Sequence, residues 1–219
     1  RPEGSKPLYL MYDQIYWVLT HGESKHFNPV TLRPEMRNFT VFVDGISKCL
    51  AATGVRVGWS LGPKYITDRM RAILSHVGAW APKAEQVATA KYLTNRDAVQ
   101  QFLNQFKKEV DYRLVTLYKG FSDLHDEGFK VDAIAPQAAI YLTVKFDLAG
   151  KTTADGTVLR NSRDVTRFLL NEAKLAVVPF YAFGSDDLNP WYRISVGTCK
   201  KEECMEVIGL LRKALSTLK

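Results

Sequence analysis

The stretch that most restricts what this chain can fold into is residues 39–62. It opens with an apolar run, Phe39-Thr-Val-Phe-Val43, which is short, β-branched and aromatic, as a buried strand is. It closes with a second apolar run ending at Leu61, and small residues including Gly45, Ser47, Gly54 and Gly58 lie between. Lys48 and, eight positions later, Arg56 stand on that small-residue backbone. A cation set between buried strands is costly unless it has a partner or a task. A desolvated lysine gives up its proton more readily and becomes a nucleophile able to form a Schiff base with an aldehyde. An arginine on glycine-flanked backbone suits a phosphate, because its planar fork donates two hydrogen bonds to the oxygens. The plainer reading of a lone lysine, as a solvated surface residue, stands beside this one.

An aldehyde-reactive lysine with a phosphate-gripping arginine describes a pyridoxal phosphate site. The spelling carries the same message: Gly45-Ile-Ser-Lys48 followed by Thr53-Gly-Val-Arg56-Val-Gly58-Trp59 resembles the lysine signature of class I/II pyridoxal phosphate-dependent aminotransferases. Val55 departs slightly, since a bulkier residue is commoner before that arginine. The resemblance implies that Lys48 holds the cofactor as a Schiff base and shuttles a proton, and that Ser47 and Arg56 hold its phosphate. It also implies pyridoxal 5'-phosphate as cofactor and α-amino and 2-oxo acids as substrates.

Upstream, the apolar segment Leu8-Tyr-Leu-Met-Tyr12 reads as another buried strand with Asp13 at its carboxyl end. Ligands of α/β sheets gather at such ends. On its own Asp13 fits a helix N-cap or a loop equally well. The Asp13-Gln-Ile-Tyr16 spacing resembles the family's Asp-x-x-Tyr, which implies that Asp13 pairs with the cofactor's protonated ring nitrogen and Tyr16 with its phenolic oxygen. A carboxylate there keeps the ring protonated, a stronger electron sink. Gln14 stands where the family usually has Glu.

Residues 1–7 read as a loop, and residues 20–38, with Gly22, Asn28, Pro29 and Pro34, as a polar loop beside the site. Its His21 and His26 lack any metal-ligand spacing, so no metal is expected. Helices are expected over 64–75 and 82–93, and a long one runs from a cap at Asn95 to about residue 125, with Val99, Phe102, Phe106, Val110, Leu114, Leu117 and Phe121 along one face. That length suits a bridge between two domains, 1–110 and 111–219. Residues 128–134 and 139–145 read as strands, Ser162 as the cap of a helix to residue 173, and residues 201–218 as a closing helix. Pro136-Gln-Ala-Ala-Ile-Tyr141 resembles the family's Pro-x-Gly-Ala-x-Tyr/Phe. The Phe180, Tyr181 and Phe183 loop hints at apolar or aromatic substrates, or at rings that merely pack the loop. In the strand Trp191-Tyr-Arg-Ile-Ser-Val196, Arg193 by itself reads as an ion-paired edge residue. Its match to the family's Arg-Ile/Leu-Ser implies instead the clamp on the substrate's α-carboxylate.

The net charge of +7 raises the question of an acidic partner. The basic residues are dispersed and not interleaved with aromatics, so no nucleic acid is expected. No run reaches membrane-spanning length, and no membrane is expected. Three cysteines match no zinc or disulfide framework and suit a reducing compartment, here the cytoplasm, with Cys49 buried beside Lys48.

The expected fold is α/β: the later part of the large domain of a fold-type I pyridoxal phosphate-dependent transferase (1–110), then its small α+β C-terminal domain (111–219). The family's earlier half has no counterpart upstream of Tyr9, so a fragment of a longer polypeptide is expected, with that N-terminal half as a missing partner. The expected function is a homodimeric aminotransferase moving an amino group between an α-amino acid and a 2-oxo acid. A β-lyase or decarboxylase of the same fold, or a non-catalytic cofactor-binding module, is the alternative.

Overall fold

The computed structural model describes residues 4–219; the expected loop over residues 1–7 lies partly outside the described residues. The chain divides into two compact units, residues 1–106 and 107–219, and the division falls within one long helix.

In the first unit, β1 (Leu10–Asp13), β2 (Thr40–Gly45) and β3 (Gly58–Leu61) form a sheet in that order. β1 runs parallel to β2, while β3 returns antiparallel to it. Only β2, paired on both sides, is largely buried. β1 and β3 are outer strands and mostly exposed, with Met11 at 75% and Leu61 at 61%, so the expectation of two further buried strands fails for them. Within the expected loop 20–38, Asn28 caps a single turn, α1 (Pro29–Leu32), and a 3₁₀ turn follows. One more turn, α2 (Ile46–Cys49), leaves the end of β2. Beyond β3 come α3 (Lys64–Val77), which ends on a left-handed Gly78, and α4 (Lys83–Thr94).

Asn95 then accepts from the Ala98 N–H (3.2 Å) and opens α5 (Arg96–Asp126), as its cap-forming side chain predicts. The later part of α5 belongs to the second unit, where Leu114, Leu117, Phe121 and Leu124 are buried.

The second unit's sheet has the order β4-β5-β7-β6, antiparallel throughout: β4 (Val131–Ala133), β5 (Tyr141–Phe146), β6 (Val178–Pro179) and β7 (Trp191–Ser195). Burial alternates along β5, which puts Leu142, Val144 and Phe146 on the core face with Tyr192 and Ile194 of β7. Two helices, α6 (Ser162–Glu172) and α7 (Lys201–Leu215), complete the unit. The cap of α6 differs from expectation. Asn161, not Ser162, accepts from the N–H groups of Arg163 and Asp164, while the Ser162 hydroxyl donates to the carbonyl of Asp187.

Gly120 marks a close approach of α5 and α7: a Cβ there would lie 2.5 Å from Cγ1 of buried Ile208. Both branches of that β-branched side chain crowd the position, so it has little room to turn away. Gly120→Ala is expected to cost about 1–3 kcal/mol through overpacking, measured as a lower denaturation midpoint with an unchanged denaturant slope.

Candidate active site

The first unit collects its chemistry at one end of its sheet. Because β1 and β2 are parallel and in register, Asp13 opposite Val43, both strands finish at the same edge. The antiparallel β3 begins there. Asp13 therefore ends β1 and Tyr16 follows it, Ser47 and Lys48 follow β2, and Arg56 precedes β3, all at that edge.

Two glycines permit this convergence. Gly45 and Gly58 are paired across β2 and β3. A Cβ on Gly45 would lie 2.9 Å from the Val57 carbonyl oxygen, and one on Gly58 would lie 2.9 Å from that of Asp44. Both obstacles are backbone, so neither position accepts a side chain without parting the strands. Between them the chain turns back through a 3₁₀ turn, Thr53–Val55, and the Thr53 hydroxyl donates to the Ser47 carbonyl (3.1 Å). Arg56 sits at φ +61°, a left-handed conformation unfavourable to a side chain, and its Nη1 donates to the Thr53 carbonyl (2.8 Å). Such strain is retained where the surroundings overdetermine it, and it gathers at functional sites.

Lys48 is half-buried and Arg56 exposed, so the full burial expected of the two cations is not found. Among the described residues the Lys48 amine and the Ser47 hydroxyl have no hydrogen-bond or ion-pair partner. Asp13 forms a local turn in which one carboxylate oxygen accepts from the Ile15 N–H (3.1 Å). Cys49, expected to be buried, is only half-buried; its thiol donates to the Gly45 carbonyl (3.3 Å). Burial, with nearby Asp44 adding to it, pushes that thiol up to about 11.

Asp44 was not singled out by the sequence, yet it ties the site's base together. It is 8% exposed, accepts from the Gly45 N–H (2.7 Å) and accepts from the Gln14 amide (3.2 Å). Gln14 thus joins the end of β1 to that of β2. An amide can donate to a buried carboxylate where a second carboxylate would repel it. The one signal in the sequence was a charge directly before glycine in an apolar strand.

In the second unit, Arg193 lies on β7, an inner strand between β5 and β6, so the edge-residue reading fails. No carboxylate among the described residues pairs with it. Its guanidinium instead lies over the rings of Tyr141 (4.2 Å) and Phe183 (4.7 Å). Contact with an aromatic face balances the charge and leaves the N–H donors unspent. Phe180 packs edge-to-face on Phe183, and Arg163 lies over Tyr181 (4.8 Å), so the loop's rings serve as packing and as cation seats.

The first unit is thus an α/β sheet whose strand ends carry a lysine and an arginine, and the second an antiparallel sheet with an arginine that pairs with no carboxylate among the described residues. The family model "Aminotransferase class I and II" matches residues 5–211, and the chain belongs to that family. A protein of Rickettsia typhi described as a probable aspartate/prephenate aminotransferase is 31% identical over 211 residues, covering 95% of this chain and 50% of the relative. The crystal structure of the aspartate aminotransferase from Rhizobium meliloti superposes with a TM-score of 0.81 at 26% identity, over 96% of this chain and 50% of that one. An aromatic aminotransferase from Pyrococcus horikoshii gives 0.82 at 25% identity, over 95% and 51%. The fold is that of the later part of a fold-type I transferase. The chain spans about half the length of the relatives it matches.

The strain at Arg56 is testable by itself. Arg56→Gly removes both the left-handed penalty and the bond to Thr53, whereas Arg56→Ala keeps the penalty and loses the bond. The glycine variant is expected to be the more stable by about 1 kcal/mol, read by thermal or urea denaturation of the two side by side.

Proposed function

We propose that this chain is the lysine-bearing part of an aminotransferase that moves an amino group between an α-amino acid and a 2-oxo acid. The observation that carries the reading is the convergence of Asp13, Tyr16, Ser47, Lys48 and Arg56 at one edge of the first unit's sheet. The cofactor of the family is pyridoxal 5'-phosphate. The residues present fit it: a lysine amine and a serine hydroxyl without other partners, an arginine with one nitrogen tied back and the rest available, and a glycine pair that keeps side chains off the backbone beneath them.

Bound there, pyridoxal phosphate supplies an aldehyde carbon and a protonated ring that draws electrons from the substrate's Cα. Lys48 would hold that aldehyde, and its amine would move the proton at the substrate's Cα as general base and acid. Asp13 has an oxygen beyond its Ile15 bond to offer a ring N–H, and its charge favours the protonated ring. Tyr16 orients the ring through its phenol. Ser47 and Arg56 hold the phosphate, Arg56 from a backbone geometry that fixes its direction. Arg193 grips the substrate's carboxylate; with no internal carboxylate to displace, its fork is free for a planar anion.

In the same reading, residues 1–110 are the later part of the cofactor-binding domain and 111–219 the small domain. A segment matching the earlier half of the relatives completes the three-stranded sheet, whose outer strands expose Met11 and Leu61. Exposed Ile73 and Val77 on α3, with Trp80 after it, support a homodimer. The odd count of cysteines supports a reducing compartment such as the cytoplasm.

The full-length protein with pyridoxal phosphate is expected to show a visible absorption band that shifts on adding an amino acid and returns with a 2-oxo acid. Lys48→Ala should lack the band. A folded full-length protein without one overturns the assignment. Tyr141→Leu should raise KM for the amino acid about tenfold with little change in kcat, because the ring seats Arg193 in ground and transition states alike; steady-state kinetics with one amino acid decides it.

A further inference from the structure

The start of α7 holds a pair of sulfurs that the aminotransferase reading does not use. Lys200 is the N-cap, and its N–H donates to the Glu203 carboxylate (2.8 Å). Around such a cap, the residue before it and the fourth helical residue ordinarily pack two apolar side chains together. Here those positions are Cys199 and Cys204, with their sulfurs 3.3 Å apart. The cap geometry therefore imposes the contact, although the spacing in sequence suggests no disulfide framework.

The position is also held from outside. Nε of Arg113 on α5 donates to the Cys199 carbonyl (2.8 Å), and Glu109 pairs with both Arg113 (3.0 Å) and Lys201 (2.9 Å). Cys199 is half-buried and Cys204 only 1% exposed, and both border a cavity of about 400 Å³. A disulfide needs its sulfurs about 2.05 Å apart, so a little over about 1 Å of approach separates the two states.

We propose that Cys199 and Cys204 are a modification site, a dithiol that hydrogen peroxide converts to a disulfide. The more accessible Cys199 sulfur attacks one peroxide oxygen, the O–O bond breaks, and a sulfenic acid and one water result. The Cys204 sulfur then attacks the Cys199 sulfur. The S–S bond forms as the S–O bond breaks, and the Cys204 proton leaves with the hydroxyl as a second water. Two thiols have lost two electrons and two protons, and peroxide has become two waters. Burial, reinforced by Cys199 beside it, pushes the Cys204 thiol up to about 12 and leaves the attack on peroxide to Cys199, while the second step is favoured by the 3.3 Å between the two sulfurs. The new bond closes a short ring over the cap and fixes the connection that leaves β7, the strand of Arg193.

The test is peptide mapping of the full-length protein after brief peroxide treatment, denaturation and alkylation. Trypsin cuts between the two cysteines at Lys200 and Lys201. The expected product is peptide 194–200 joined to peptide 202–212, about 2 Da lighter than their sum, with Cys49 fully alkylated. The same treatment in urea should form the link more slowly, because closeness in sequence remains but the helix cap that holds the sulfurs together does not. Recovery of all three cysteines alkylated overturns the proposal. So does Cys199 oxidised to sulfinic acid beside an alkylatable Cys204, or a linkage through Cys49.

Discussion

The contact between the backbones of Gly45 and Gly58 underlies the placement of everything in the first unit's site. With a side chain at either position, β2 and β3 would be forced apart at the end where the functional groups leave the sheet. With none, the chain leaves β2 in a single helical turn, returns through a 3₁₀ turn, and re-enters as β3 with Lys48 and Arg56 on either side of the gap. Thr53 bonded to Ser47 and Arg56 bonded to Thr53 close that loop on itself. Asp44, buried beneath, joins the loop's first residue to Gln14 at the end of β1. The lysine is thus placed by backbone proximity and short local bonds, which hold position better than long side chains do.

The two units solve the problem of an unpaired cation in different ways. Lys48 is half exposed to water and needs no internal partner. Arg193 lies on an inner strand, where a carboxylate would be the usual remedy, and has aromatic rings instead. Left-handed backbone at Arg56 and at Ala139 (φ +67°), just before β5 and its Tyr141, shows that both arginine environments draw on conformations that glycine would adopt at less cost.

Much of this was legible from residue order. The strand before Lys48, the long helix capped by Asn95, and the alternation that set Arg193 on a strand all follow from periodicity and capping, which are local. The resemblance of Gly45–Lys48 and Thr53–Trp59 to the aminotransferase signature points to the family from residue order alone. What escaped depends on partners distant in sequence. Exposure of β1 and β3 follows from sheet order, which apolarity alone does not reveal. Asp44 owes its role to Gln14, thirty positions earlier. Asn161 displaced Ser162 as a cap because Ser162 found acceptors in the loop near Asp187. Cys199 and Cys204 meet only because the helix starts between them.

The aromatic seat of Arg193 has a consequence for what an incoming ligand must displace. An arginine stored in an internal ion pair must surrender that pair to receive a ligand, and protonating its carboxylate in acid frees it early. The Arg193 guanidinium rests on Tyr141 and Phe183, and no carboxylate among the described residues is bound to it. In the role proposed for it, an incoming carboxylate would meet a fork with no internal acid to release first.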